Sequence, residues 1–245
     1  MAILQNGLFT NLLNLLGINN RGIEYYALYI GLIALVLIAS YFFGSISSAI
    51  TVSRALYKED IRNHGSGNAG MTNMLRTYGK GAAFLTWLGD MLKTVFSVVF
   101  AALIFGFSYK NGISLNGICY LAGLCAVFGH AFPVYYGFKG GKGVLVTAIM
   151  TLVLCPALFV VLMSTFVIII AISGYVSLSS IIVASIMPVA FSLYSYFLGG
   201  ELPPVMVIST VVLGAFIVWC HRSNIQRLKA GNEKKISIGK KEKKG

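Results

Sequence analysis

Apolar runs long enough to cross a lipid bilayer recur along this chain, and that single feature excludes most folds. A crossing helix needs ~20 apolar residues to span the ~30 Å hydrocarbon core, and there every backbone N–H and C=O must be satisfied within the segment. Such runs are therefore helices. Of the 245 residues 57% are hydrophobic and 11% charged, and the mean hydropathy is +0.82, far from the half-apolar, quarter-charged make-up of soluble domains. The sequence predicts an all-α polytopic membrane protein.

The runs fall at residues 25–53, 81–107, 115–131, 144–154, 157–173, 178–198 and 205–220. Seven transmembrane helices are expected, the fourth of them short. The Cys155-Pro156 pair divides the fourth run from the fifth, and one long helix kinked at the proline, giving six crossings, is the alternative. Residues 1–24 read as an N-terminal extension in which Leu4, Phe9, Leu12, Leu13 and Leu16 have the spacing of an interfacial amphipathic helix. Residues 25–221 form the membrane domain and 222–245 a basic tail. The first twenty residues lack the basic n-region of a cleavable signal peptide, and no internal repeat is evident.

The cations orient the chain. With the N-terminus outside, the inner loops hold Arg54, Lys58, Arg62, Arg76, Lys80, Lys139 and Lys142, against Arg21 and Lys110 outside. That bias puts the C-terminus in the cytoplasm. The net charge of +12 follows from this topology and from a polybasic tail able to touch anionic headgroups, so nucleic acid is excluded as a partner. Cys119, Cys125, Cys155 and Cys220 contain no C-x-x-C pair and read as small apolar residues, giving no metal site.

Three polar segments share the inner side: residues 64–76 (HGSGNAGMTNMLR), 131–143 (AFPVYYGFKGGKG) and 221–233 (HRSNIQRLKAGNE). The three histidines, His64, His130 and His221, each lie in or beside one of them. Gly65, Gly67 and Gly70 permit positive φ and an inward-turned set of N–H groups, the makings of an anion-binding concavity. Ser66, Asn68, Thr72 and Asn73 add donors, and Arg76 offers a planar fork for phosphate. Gly140 and Gly141 allow close backbone approach, Lys142 supplies a cation, and Val144 opens a helix after Gly143. This is not a Walker A loop, because the G-x-x-x-x-G-K-[ST] spacing fails. Within the second run Asp90 and Lys93 share a helix face and are either a functional pair or a helix-holding one.

The segments GSISSAI at Gly44, DIRNHGSGNAGMTNMLRTYGKGAA at Asp60, DMLK at Asp90, GHAFPVYYGFKGGKGV at Gly129 and HRSNIQRLKAGNEKKI at His221 together resemble the bacterial acyl-phosphate:glycerol-3-phosphate acyltransferases, the PlsY family. The resemblance runs from about residue 35 to 236, in order and spacing. It implies a multi-pass enzyme of the bacterial inner membrane that moves a fatty acyl group from acyl phosphate to the 1-hydroxyl of glycerol-3-phosphate, releasing lysophosphatidic acid and phosphate. It implies no cofactor, and a functional link to a soluble enzyme that makes acyl phosphate. Carried over, Ser66, Arg76 and Lys142 match residues that bind glycerol-3-phosphate. Asn68, Thr72, His221 and Asn224 match the acyl-phosphate headgroup pocket, and Gly65, Gly67, Gly140, Gly141 and Gly143 match loop glycines. The chain departs from the family where Ser47 replaces the usual proline, where VLVT follows GGKG, and in its extra N-terminal residues. The proton of the attacking hydroxyl goes to His221 or to the donor's own phosphate, and the resemblance favours the phosphate. A small transporter of an anionic solute would use similar loops, but the chain lacks an inverted repeat with paired broken helices.

Overall fold

The computed structural model describes residues 2–18 and 22–236. Arg21, the side chain of Leu4 and the tail from 237 onward lie outside the described residues. Helix α1 (Ala2–Leu16) is followed by α2 (Ile23–Ser45), α3 (Ser48–Tyr57), α4 (Met71–Tyr78) and α5 (Lys80–Phe105). A small antiparallel hairpin comes next, with β1 (Tyr109–Lys110) pairing Tyr109 to Ser114 of β2 (Ile113–Ser114). Then come α6 (Gly117–Ala131), α7 (Val144–Leu154), α8 (Pro156–Ser173), α9 (Val176–Tyr194), α10 (Pro204–Cys220) and α11 (Arg222–Lys229). Among the described residues five helical segments are long and apolar enough to cross a membrane, and α10 with α11, bent by 53° at His221, makes a sixth.

Helix α7 has 11 residues, about 16 Å at 1.5 Å per residue, roughly half the hydrocarbon thickness. Its neighbours enclose it, with Val146, Met150 and Leu154 each 0% exposed. Cys155, at φ −154° and ψ 82°, separates α7 from α8, whose first residue is Pro156, where a missing N–H removes no helical bond. Helices α7 and α8 are thus distinct helices, not one helix kinked at the proline. Outside α7, α8 turns Val160, Val161, Val167, Ile168 and Ile172 outward, as a lipid-facing helix should.

The expected first run, 25–53, needs correction: it is two helices, broken at Ile46 and Ser47, both extended. The break frees the Ile46 carbonyl, and Lys93 of α5 donates to it at 2.9 Å. Helices α2 and α6 meet through glycines. A Cβ on Gly44 would strike the Ala126 backbone and one on Gly129 the Tyr41 carbonyl, so only small residues let these backbones approach. The N-terminal helix α1 does not lie free. Phe9 and Leu13 are buried, and the Phe9 ring packs 5.3 Å from Tyr29 and 5.8 Å from Phe105, on the ends of α2 and α5.

A chamber with a polar mouth and an apolar interior

Helices α4, α5, α7, α8, α9 and α11 enclose one cavity of about 570 Å³. All three polar segments reach it. From the first come Gly65, Ser66, Asn68, Thr72, Asn73 and Arg76; from the second Lys142 and Gly143; from the third His221 and Asn224. Gly67, Gly140 and Gly141 do not line it. Gly67 and Gly140 face a separate surface pocket beside Arg62 and Lys139, and Gly141 packs on the His130 ring where no Cβ would fit.

The first loop owes its shape to Asn73. That side chain is 2% exposed and uses both ends on main chain: Oδ1 accepts from Ser66 N at 3.0 Å, while Nδ2 donates to the carbonyls of His64 at 2.9 Å and Asn68 at 3.1 Å. Asn73 therefore holds the loop. Gly65 (φ 61°) and Gly67 (φ 72°) take the left-handed conformation, but Gly70 is extended at φ −152°, correcting the expectation for that glycine. Thr72 and Arg76, four apart on α4, project from one face.

On the opposite wall Lys142 donates to Asn224 Oδ1. Asn224 in turn donates to Glu233 at 2.7 Å, and Glu233 also accepts from Ser177 at 2.8 Å and from Arg227 Nε at 2.7 Å. These bonds hold the Glu233 carboxyl below the usual carboxylate range. Arg76 reaches the Lys234 carbonyl at 3.3 Å, and Ile236 N donates to the Gly174 carbonyl at 2.8 Å. The segment after α11 is thus a strap across the mouth. Neither Arg227 nor Glu233 was among the sequence candidates; an acid in a lysine-rich tail that holds only two was the available signal. Arg76, Lys142 and Arg227 outnumber Glu233, so the mouth is net positive. Burial first, then Arg227, pushes the Lys142 ammonium down to about 8.

His221 sits just beyond the last apolar helix, 3% exposed. Its Nδ1 lies 2.8 Å from the Ile217 carbonyl, which can only accept, so Nδ1 carries the proton and Nε2 is an acceptor. Burial pushes its pKa down to about 4, leaving a neutral, weakly basic imidazole. His64 stays outside the chamber, 3.1 Å from Glu59. His130 and Asp90 line its inner wall.

Deeper in, the lining changes character. Ala148 of α7, Phe159, Leu162, Met163 and Phe166 of α8, and Val183, Ala184 and Met187 of α9 make an apolar interior continuous with the cationic mouth. Fold and chamber together define an integral membrane protein with a cavity that offers an anion-attracting end and a hydrocarbon-like end.

Comparison with known proteins narrows this class. The chain matches the family described as glycerol-3-phosphate acyltransferase over residues 34–231. It is 42% identical to the glycerol-3-phosphate acyltransferase of Alkaliphilus metalliredigens over 202 residues, covering 82% of this chain and 95% of that protein. With the Salinibacter ruber protein of the same description it shares 40% identity, covering 84% and 93%. It superimposes on a crystal structure of PlsY (YgiH), an integral membrane glycerol 3-phosphate acyltransferase in its glycerol 3-phosphate form, with a TM-score of 0.72 and 30% identity, covering 84% of this chain and 96% of that one. The lysophosphatidic acid form of that protein gives a TM-score of 0.70. The chain belongs to the glycerol-3-phosphate acyltransferase family, of the PlsY type.

Proposed function

We propose that this protein transfers a fatty acyl group from acyl phosphate to the 1-hydroxyl of glycerol-3-phosphate, releasing lysophosphatidic acid and inorganic phosphate. The observation that carries the reading is the continuity of the chamber: a mouth with Arg76, Lys142 and Arg227 opens directly onto an apolar interior. Two phosphates and one hydrocarbon chain need that combination. Ser66, Arg76 and Lys142 take the acceptor's phosphate. Asn68, Thr72, His221 and Asn224 surround the donor's phosphate, and its acyl chain runs inward along Ala148, Met163 and Ala184.

Acyl phosphate is a mixed anhydride with a good leaving group, so no covalent enzyme intermediate is needed. The acceptor's hydroxyl oxygen bonds to the acyl carbon, the bond from that carbon to the phosphate oxygen breaks, and the hydroxyl proton ends on the departing phosphate. The protein's contribution is to hold two mutually repelling anions in reacting geometry and to stabilise the charge that develops.

The same reading includes seven crossings with α7 as the short fourth, the N-terminus outside and the mouth facing the cytoplasm, in the bacterial inner membrane, as the inner-loop cations support. A cytoplasmic mouth can receive acyl phosphate from a soluble enzyme. The division into extension, membrane domain and basic tail goes with it. Purified protein in detergent tests the function. Phosphate release from acyl phosphate that depends on glycerol-3-phosphate is expected; uptake of an anion into vesicles with no release would overturn it.

A further inference from the structure

Lys93, buried within α5, ties together three parts of the chain. Its Nζ lies 2.9 Å from Asp90 Oδ1 one turn earlier, from the Ile46 carbonyl in the break between α2 and α3, and from Nδ1 of His130 near the end of α6. An ammonium has three hydrogens and no lone pair, so it donates to all three and Nδ1 accepts. Lys93 is 5% and His130 4% exposed. The imidazole cannot turn over without stranding a buried ammonium hydrogen, so its orientation is fixed.

The far edge of the same ring meets the turn that carries Lys142. A Cβ on Gly141 would strike His130 Nε2 and Cε1 and would come within 2.9 Å of the Ala69 carbonyl oxygen, so this glycine rests on the imidazole edge and on the first polar segment together. Gly141 N donates to the His130 carbonyl and Gly140 N to the Ala131 carbonyl, each at 3.0 Å, which pins the turn to the end of α6. Lys142 is the next residue. Three pieces of chain therefore meet at Gly141: the loop that leads into Arg76, the turn before Lys142, and a ring whose orientation Lys93 fixes. A phosphate gripped by both cations is sensitive to their separation, and this contact sets it.

We infer that His130 and Lys93 are positioning residues for the acceptor's phosphate: the ring edge of His130 sets the place of the Lys142 turn against the Arg76 segment, and Lys93 keeps the ring in that orientation. Both act through Gly141, not through contact with the ligand. This rests on the reading above, in which Arg76 and Lys142 hold the phosphate of glycerol-3-phosphate.

His130→Asn separates the two edges of the ring. Its amide oxygen takes the place of Nδ1 and keeps Lys93 bonded, while nothing replaces Nε2 and Cε1 behind Gly141. In detergent-purified protein the KM for glycerol-3-phosphate should rise roughly tenfold or more, because small misplacements of a gripping group are costly. The kcat at saturating acceptor and the KM for acyl phosphate should stay within about twofold of the unaltered protein. Adding Gly141→Ala refills the vacated space with a methyl, and the double variant should recover the acceptor KM to within about threefold. A cluster that only holds α5 and α6 together gives no such rescue. If His130→Asn does not fold, Asp90→Asn with Lys93→Met, which buries no unpaired charge, frees the ring from its other edge and should raise the same KM. A lowered thermal midpoint with an unmoved KM for glycerol-3-phosphate would overturn the proposal. So would an equal rise in both KM values, or a double variant no better than His130→Asn alone. If unaltered protein shows no turnover that depends on glycerol-3-phosphate, the acceptor reading itself has failed.

Discussion

The mouth and the interior of the chamber are built by opposite means. At the mouth, loops and short helices place polar groups that are already bonded to one another: Asn73 to three stretches of main chain, Lys142 to Asn224, Asn224 to Glu233, Glu233 to Ser177 and Arg227. In the interior, α7, α8 and α9 present side chains whose contribution is volume and apolarity. A group at the mouth acts through charge and geometry. A group in the interior acts through the space it leaves, so changing it alters which ligand fits.

The sharpest way to break that contrast is to remove the cations. Arg76→Ala or Lys142→Ala should lower kcat/KM for glycerol-3-phosphate by roughly thirty- to thousand-fold, from a charge-assisted contact of about 2–4 kcal/mol, while the protein stays folded in the membrane. Steady-state kinetics on membrane-inserted variants checks this, and near-normal turnover in both would remove the mouth from the acceptor's path. Gly129→Val, outside both regions, is the control that should harm them alike. Its side chain has no room against the Tyr41 carbonyl and Gly44, and overpacking of this kind costs about 1–3 kcal/mol of stability. A lowered thermal midpoint in detergent, with unchanged relative preference among acyl chains in the surviving fraction, is the expected result.

Much of this contrast was legible in the sequence, but unequally. The ends of α6, α7, α8 and α10 lie within two residues of where hydrophobic runs and prolines put them, because bilayer physics writes such segments directly into composition. The break at Ile46 was only half legible: Gly44 and the departure from proline at Ser47 stand beside it, but the lysine that takes up the freed carbonyl comes 47 positions later in the chain. Likewise the i, i+3 spacing of Asp90 and Lys93 was visible, whereas His130 joins them only through the packing of α6 on α5. Glu233 was hidden by its setting, a run of lysines that read as solvated tail. Long-range polar partners leave no periodic trace.

A smaller effect sharpens the interior's side. Ala184→Phe places a ring in the apolar end, and displacing two methylenes of a long acyl chain at ~0.8 kcal/mol each should shift preference toward shorter chains by roughly fifteenfold. Competition between acyl phosphates of different length measures it. An unaltered preference would mean the chain lies elsewhere. The least effect concerns pH. Lys142 loses its proton near 8 in the folded protein, below the usual 10.5, so its ammonium, and with it kcat/KM, should fall about fourfold between pH 7 and 8.5. The sign for stability is opposite. Between 8 and 10.5 the unfolded chain holds a proton that the folded one has released, so this residue's contribution to stability rises with pH over that window. Lys142→Arg should flatten the alkaline limb, and an unmoved limb would assign it to another group.

The strap across the mouth bears on how the protein is made. Its residues follow every apolar helix in the chain, so a ribosome delivers Glu233 only after the last of those helices has been synthesised. Until then Ser177, Asn224 and Arg227 lack the carboxylate that gathers them, and Arg76 lacks the Lys234 carbonyl. A nascent chain can therefore insert its whole membrane domain while the mouth of its chamber is still unassembled, and a product truncated before Glu233 would occupy the bilayer without finishing that mouth.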